Sequence, residues 1–277
     1  MGGNVSREPF VSCEWLLENL GREDIVVVDC RYDLFDLELG RREYFRGHIP
    51  GSYFMDMEHD LTGEIGDHGG RHPLPDVANF VKRANEIGVT DGKAVIAYDR
   101  DGSGAARAWW LFNYVGHSRV KILNGGFPMW EALGYPLTTD VPGPVAGDFK
   151  PRVKQEILMG MKDLKALKHG TKIVDSRARE RYAGVIEPID RKAGHIPGAI
   201  NIPYTDVLLT PGLFRKKEEI EELFSASGDE PVVYCGSGVT SCVSFVALWY
   251  IGKRPKLYAG SWSDWISYED NEIATGH

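Results

Sequence analysis

Cysteine is scarce in this sequence, and long apolar runs and an excess of positive charge are missing altogether. Only four cysteines occur in 277 residues and none forms a C-x-x-C pair, which predicts a reduced, cytoplasmic protein without the common zinc patterns. No apolar run approaches the ~20 residues of a membrane span, so we expect no membrane association. Acidic residues outnumber basic ones by 40 to 32, which argues against a nucleic-acid partner, because binding phosphates requires a basic surface.

An internal repeat divides the chain into two similar halves. Four segments of the first half recur in the same order in the second half, about 135 to 147 residues later. The matched pairs are IVVVDCR (25–31) with IVDSR (173–177), RGHIPGS (46–52) with GHIPGA (194–199), AVIAYD (94–99) with PVVYC (231–235), and LNGGFPMW (123–130) with LYAGSWSDW (257–265). Between the copies, residues 139–152 contain three prolines and two glycines, which is typical of a linker. We therefore predict two domains, residues 1–147 and 148–277.

Each copy alternates short apolar runs with helical patterns. IVVVD at 25–29 and AVIAY at 94–98 are nearly continuous apolar runs, as in strands that are buried on both faces. KEEIEELFSAS at 217–227 carries its apolar residues at helical spacing. This alternation predicts the α/β class, with a parallel sheet flanked by helices on both faces in each domain.

One cysteine stands in a context that favours chemistry. Cys235 follows the apolar run PVVY and precedes the loop GSGVT, after which an apolar helix begins near Ser241. Open α/β sheets bind ligands at the carboxyl ends of their strands, and a glycine-rich turn can point backbone N–H groups inward. Such N–H groups, together with the N-terminus of the helix, create a positive potential that favours an anion and stabilises a thiolate on Cys235. The alternative is a buried structural cysteine.

Two kinds of enzyme use a cysteine in such a loop. Cysteine phosphatases need an arginine six residues after the cysteine, and Ser241 occupies that position here. Sulfur-transfer enzymes use a shorter loop that fits a single sulfur atom. The CGSGVT loop, the GHIPG segments of both halves, DSR at 175–177 and the GSW segment near the end together resemble the rhodanese family of sulfurtransferases. The resemblance covers residues 8–268 and implies two tandem rhodanese-like domains.

The resemblance implies a nucleophile and a loop that binds the transferred sulfur. Cys235 is expected to attack the sulfur of the donor and carry it as a persulfide. Gly236, Gly238, Val239 and Thr240 are expected to line the donor site. Neither a metal nor an organic cofactor is implied.

Two arginines are implied as ligands of an anionic donor. Arg181, in DSRARERYAG, matches an R-[FY] pair of the family, and Arg191, in EPIDRKAGHIPG, matches an arginine that precedes GHIPG. Bidentate guanidinium contacts suit a carboxylate beside a ketone.

The branch of the family that uses 3-mercaptopyruvate also implies a Ser-His-acid relay. Ser237 supplies the serine, and His72, in RHPLP, matches the histidine. Alignment assigns the acid to Glu58, although Asp56 lies only two residues away.

Other conspicuous residues have plainer interpretations. His48 and His195 lie in the two GHIPG segments and are expected to form rigid turns, since only one half carries the cysteine. Arg107 either faces the site or lies on a helix surface. Asp99 stands where the second half has Cys235, and a carboxylate cannot carry a sulfane sulfur. We expect a longer loop after Asp99 and a non-catalytic first domain.

The predicted function is transfer of sulfur from 3-mercaptopyruvate to a thiol such as that of thioredoxin, or to cyanide. Uncharged residues at Gly236 and Ser237 favour this donor, since thiosulfate-preferring relatives more often carry basic residues there. Two alternatives stay open: thiosulfate as the donor, or a carrier that delivers a persulfide to a protein partner.

Overall fold

The computed structural model describes residues 8–167 and 170–276, and this part of the chain builds two parallel sheets. The strands of the first half are β1 (Phe10–Val11), β2 (Ile25–Asp29), β3 (Tyr53–Phe54), β4 (Ala94–Tyr98) and β5 (Val120–Leu123). They pair in the order β1-β5-β4-β2-β3, and every pair is parallel.

The second half repeats the parallel sheet with four strands and adds a hairpin. Its strands are β6 (Ile173–Asp175), β7 (Ala199–Asn201), β8 (Leu208–Thr210), β9 (Leu213–Phe214), β10 (Val232–Tyr234) and β11 (Lys256–Leu257). The sheet order is β11-β10-β6-β7, all parallel, while β8 and β9 pair antiparallel.

Ten α-helices connect these strands within the described residues. They are α1 (Cys13–Glu18), α2 (Leu39–Arg46), α3 (Val77–Glu86), α4 (Ser103–Tyr114), α5 (Gly126–Ala132), α6 (Met161–Lys165), α7 (Arg179–Tyr182), α8 (Lys217–Leu223), α9 (Ser241–Tyr250) and α10 (Ser261–Trp265). Short 3-10 turns lie at Gln155–Ile157, Tyr204–Val207 and Ser225–Ser227. None of the helices in the described ranges is long and apolar enough to cross a membrane.

Alternating side chains show that the first sheet is covered on both faces. Val26 and Val28 of β2 point into the large core beneath α3 and α4, whereas Val27 points into a second core with Trp130 of α5. Successive side chains of a strand point to opposite faces of the sheet, so a strand that is apolar at every position is buried on both faces. The predicted α/β class with helix-flanked parallel sheets is confirmed.

The two halves share one core through α4 and α9. Every residue of α4 is buried, and Trp109 and Trp110 pack against Phe245 of α9 with ring centroids 6.4 and 6.2 Å apart. A helix that is buried on all sides has no solvent face, which places α4 between the two sheets. The first half therefore forms one wall of any site at the start of α9.

The connecting segment at 133–154 has no helix or strand in the described chain. Its backbone stays attached to the first half: the N–H of Gly147 donates to the carbonyl of Asn85 at 2.7 Å, and that of Arg152 to the carbonyl of Val115 at 2.7 Å. The predicted boundary between residues 147 and 148 falls in this segment.

Candidate active site

Cys235 occupies the turn between β10 and α9. It is 1% exposed, and its N–H donates to the hydroxyl of Ser261 at 3.1 Å. The turn depends on a glycine three residues later. Gly238 has a φ of +82°, and a Cβ there would lie 2.1 Å from the carbonyl oxygen of Ala259. The loop therefore closes tightly around the thiol.

Hydrogen-bond donors converge on the sulfur of Cys235. The N–H of Gly238 points at Sγ from 3.1 Å. Burial raises the pKa of this thiol, but the hydroxyls of Ser241 and Thr240 and the N–H groups of Ser241 and Ser237 outweigh burial and lower the pKa below its ordinary value. The loop thus stabilises a thiolate, and all its residues are buried except Thr240, which is partly exposed.

Two guanidinium groups lie over Gly236. A Cβ at this position would meet Nη2 of Arg71 at 2.9 Å, and Nη2 and Nη1 of Arg181 at 3.5 and 3.6 Å. Positive charge therefore reaches the neighbourhood of Cys235 from outside the loop. A side chain at 236 would push the end of the Arg71 side chain out of this position.

Buried carboxylates hold these two arginines. Nε and Nη2 of Arg181 donate to Glu187 at 2.8 to 3.1 Å, and its Nη2 also donates to Asp190 at 2.9 Å. Nε and Nη2 of Arg71 donate to the same Asp190 at 3.0 and 3.4 Å. Nη1 of Arg71 is buried without a hydrogen-bond partner among the described residues. That N–H group is left to bind an anion.

Arg191, the other arginine predicted from the sequence, lies elsewhere. It is exposed, and its Nη2 donates to the carbonyl of Ile266 at 2.6 Å. Arg71 and Arg181 are the pair that contacts Gly236. Sequence reasoning missed Arg71, although its position next to His72 was a usable signal. A donor-binding role for Arg191 stays a prediction.

The three residues of the predicted relay form one hydrogen-bonded chain. Nδ1 of His72 lies 2.7 Å from Oγ of Ser237, and Nε2 lies 3.2 Å from Oε1 of Glu58. Asp56, the other candidate acid, instead pairs with Arg41 at 2.8 Å and accepts the N–H of Glu58. The geometry therefore selects Glu58 as the acid that contacts the histidine.

Arg107 lies behind the loop rather than on a helix surface. It is fully buried on α4, so of the two alternatives for this residue the helix-surface position is wrong. Its Nη1 donates to the carbonyl of Gly238 at 3.1 Å, and its Nη2 to the carbonyls of His72 at 3.1 Å and Leu61 at 3.2 Å. Arg107 therefore ties the cysteine loop of one half to the histidine segment of the other.

The equivalent loop of the first half is filled by its own carboxylate. Oδ1 and Oδ2 of Asp99 accept the N–H groups of Gly102 at 2.8 Å and Gly104 at 2.7 Å. The expectation of a longer loop is wrong. The first loop is the shorter one, because α4 begins at Ser103, four residues after Asp99, whereas α9 begins at Ser241, six residues after Cys235. Here the N–H donors of the loop bind a carboxyl group that belongs to the chain itself.

The two GHIPG histidines are structural. Nδ1 of His48 is 2.8 Å from the carbonyl oxygen of Tyr44, and Nδ1 of His195 is 2.8 Å from that of Tyr182. Each ring also stacks on its tyrosine. These equivalent contacts stabilise equivalent turns in the two halves.

All four cysteines are free and buried. Across residues 8–167 and 170–276, no group of three or more His, Cys, Asp or Glu side chains could hold a metal ion.

Comparisons with known proteins agree with this geometry. The sequence model described as "Rhodanese-like domain" matches residues 12–133 and 160–268. A Pseudomonas aeruginosa protein named "Probable 3-mercaptopyruvate sulfurtransferase" is 40% identical over 98% of this chain and 100% of its own length. The thiosulfate sulfurtransferase of Gallus gallus is 33% identical over 93% of each chain. The structure of SseA from Escherichia coli, described under the "Rhodanese" fold of 3-mercaptopyruvate sulfotransferases, superposes with a TM-score of 0.82 and 30% identity over 92% of this chain and 99% of its own. The chain therefore belongs to the rhodanese family, with two rhodanese-like domains in tandem.

Proposed function

We propose that this protein transfers the sulfur of 3-mercaptopyruvate to a thiol acceptor through a persulfide on Cys235. The observation that carries the proposal is the buried Cys235 thiol, whose pKa is lowered by converging N–H and O–H donors. The Pseudomonas and Escherichia relatives, both named for 3-mercaptopyruvate, support the choice of donor.

In the first step the Cys235 thiolate attacks the sulfur of the donor. The new S–S bond forms as the C–S bond breaks, and the electron pair of the C–S bond stays on C3 as the enolate of pyruvate. The proton of the donor thiol moves to C3, so that the products are pyruvate and a persulfide anion. The N–H of Gly238 and its neighbours in the loop stabilise that anion.

Arg71 and Arg181 bind the carboxylate of the donor. Both guanidinium groups lie against Gly236, one residue from the nucleophile, and the free Nη1 of Arg71 is a ready donor. Two convergent guanidinium groups fix the orientation of the donor and hold its sulfur toward Cys235. Gly236, Gly238, Val239 and Thr240 form the floor beneath it.

The Ser237–His72–Glu58 chain moves the proton. Ser237 neighbours the nucleophile in the loop, and its hydroxyl lies 2.7 Å from His72. The pair accepts the proton of the donor thiol and returns it to the enolate carbon, while Glu58 orients the imidazole and stabilises its charged form.

The acceptor removes the outer sulfur in the second step. An acceptor thiol bonds to that sulfur, the persulfide bond breaks, and its electron pair returns to Cys235 as thiolate. Thioredoxin is a suitable protein acceptor, and cyanide is a suitable small one.

The two domains contribute different residues to the site. The first, residues 1–147, supplies Arg71, His72 and Glu58 but no nucleophile, because Asp99 fills its own loop. The second, residues 148–277, supplies the nucleophile and its loop.

Release of pyruvate from 3-mercaptopyruvate, together with intact-protein mass spectrometry, tests the proposal. With donor alone, the wild-type protein should gain the mass of one sulfur atom and release one equivalent of pyruvate. Cys235→Ser should show neither, although the neighbouring Cys242 is still present. Substantial turnover in this variant would refute the assignment of the nucleophile.

Thiosulfate is a second candidate donor, supported by the name of the Gallus gallus relative. Comparing kcat/KM for both donors with cyanide as the common acceptor separates the two. A higher value for thiosulfate would give that donor first place.

A further inference from the structure

Asp190 is placed between the two arginines of the donor site. Its Oδ1 accepts Nε of Arg71 at 3.0 Å, and its Oδ2 accepts Nη2 of Arg181 at 2.9 Å. The side chain is 3% exposed, so water screens these contacts poorly. One carboxylate therefore connects two cations that come from different domains.

The charges of this cluster compensate one another. Arg71 and Arg181 contribute two positive charges, and the buried carboxylates of Asp190 and Glu187 contribute two negative ones. Despite its two arginines, the donor site thus offers little net positive charge.

Each arginine nevertheless keeps N–H groups that no carboxylate takes. The hydrogen bonds of Arg71 use Nε and Nη2, and those of Arg181 use the same two atoms. Nη1 of Arg71 has no hydrogen-bond partner in the described chain, and Nη1 of Arg181 lies 3.6 Å from the Cβ position of Gly236. One Nη1 group from each side matches the two oxygens of a single carboxylate.

We infer that Asp190 is a specificity-determining residue that makes this site select a monoanionic α-keto acid over a dianionic donor such as thiosulfate. The inference rests on the proposed function of the site. A carboxylate that binds to the compensated cluster adds one negative charge, whereas thiosulfate adds two. Because Coulomb repulsion from Asp190 scales with the charge of the ligand, it penalises the dianion about twice as strongly. Asp190 acts through the two arginines and does not itself need to touch the reacting sulfur.

The test compares Asp190→Asn, which removes the charge with little change in shape, with Asp190→Glu, which keeps the charge. A matched control is Asp91→Asn, which removes the same charge from a first-domain residue that forms an exposed ion pair with Arg152. For each protein, kcat/KM is measured with 3-mercaptopyruvate and with thiosulfate, with cyanide as the acceptor. Competitive inhibition by sulfite, the leaving group of thiosulfate, is measured in parallel.

For Asp190→Asn we expect the ratio of kcat/KM for thiosulfate to that for 3-mercaptopyruvate to rise at least tenfold, and sulfite to bind more tightly. Asp190→Glu and Asp91→Asn should keep the ratio within threefold of wild type. A parallel loss with both donors in Asp190→Asn would overturn the inference, because it would show that Asp190 only holds the arginines in place. An unchanged ratio would overturn it equally.

The outcome separates this inference from the proposed function. Wild-type release of pyruvate from 3-mercaptopyruvate tests the function alone. If the wild type releases pyruvate but the ratio does not move in Asp190→Asn, the role of Asp190 fails and the function stands. If the wild type releases none, the proposed function fails first.

Discussion

Replacing Ser237 by alanine should slow the two sulfur donors very unequally. The substitution removes the hydroxyl that lies 2.7 Å from His72 and leaves the backbone N–H that supports the Cys235 thiolate. Loss of sulfur from 3-mercaptopyruvate requires a proton to move from sulfur to carbon. Thiosulfate departs as sulfite, a stable anion that needs no proton. The relay is therefore needed for one donor and not for the other.

The size of the effect follows from the contacts of the relay. A positioned acid or base contributes about 10²–10⁴-fold, or roughly 2.7 to 5.4 kcal/mol at 1.36 kcal/mol per tenfold. We expect the lower end, because Glu58 is 22% exposed and its contact with His72 is 3.2 Å long. Ser237→Ala should thus lower kcat/KM for 3-mercaptopyruvate by about 10²-fold, the lower end of that range. Glu58→Gln should lower it less, by about tenfold, because Glu58 acts only through His72.

Steady-state kinetics with both donors and cyanide as the acceptor measure this difference. With thiosulfate, both variants should stay within threefold of wild type. The rate of Cys235 alkylation by iodoacetamide serves as a control, since an unchanged rate shows that the thiolate is intact. Equal losses with the two donors would refute the relay and leave His72 a structural role.

Three further outcomes follow from the loops. Ser241→Ala should raise the pKa of Cys235, because it removes a hydroxyl that stabilises the thiolate while burial continues to favour the thiol. The pH profile of alkylation should therefore shift toward higher pH. Asp99→Cys combined with Cys235→Ser should show no sulfur transfer with either donor, because the first loop has a different length; turnover by this variant would contradict the non-catalytic role of the first domain. Gly238→Ala should lower Tm and abolish persulfide formation measured by mass, since its Cβ would lie 2.1 Å from a carbonyl oxygen at a φ of +82°.

Local patterns in the sequence were sufficient to predict the fold and the position of the Cys235 loop. Apolar runs such as 25–29 and 94–98 match β2 and β4 of the structure, because a strand that is buried on both faces must be apolar at every position. Cys235 could be recognised because its strand, glycine loop and helix are contiguous in the chain.

Contacts between distant segments could not be predicted in this way. Arg71 approaches Gly236 only because a loop of the first domain folds over the second, and no spacing in the sequence encodes that approach. Ser237 and His72 are 165 residues apart and were paired through the family resemblance alone. Arg107 is a second residue whose surroundings the sequence does not reveal. A charged residue in a helical pattern suggests a face exposed to solvent. In the structure its guanidinium group is buried and donates hydrogen bonds to backbone carbonyls.

The interface also explains why a domain without a nucleophile belongs to the site. His72 of the first domain reaches across to the cysteine loop of the second. In the reverse direction, the hairpin β8–β9 of the second domain covers the first: the carbonyl of Gly212 accepts the N–H of Gly125 at 2.8 Å, and the N–H of Phe214 donates to Asn124 at 2.9 Å. Each domain thus closes over the strand ends of the other. The loop of the first domain is already filled by the carboxyl group of Asp99, so this domain supports the site without a nucleophile. The loop of the second domain carries the thiol of Cys235 and keeps room for a sulfur atom.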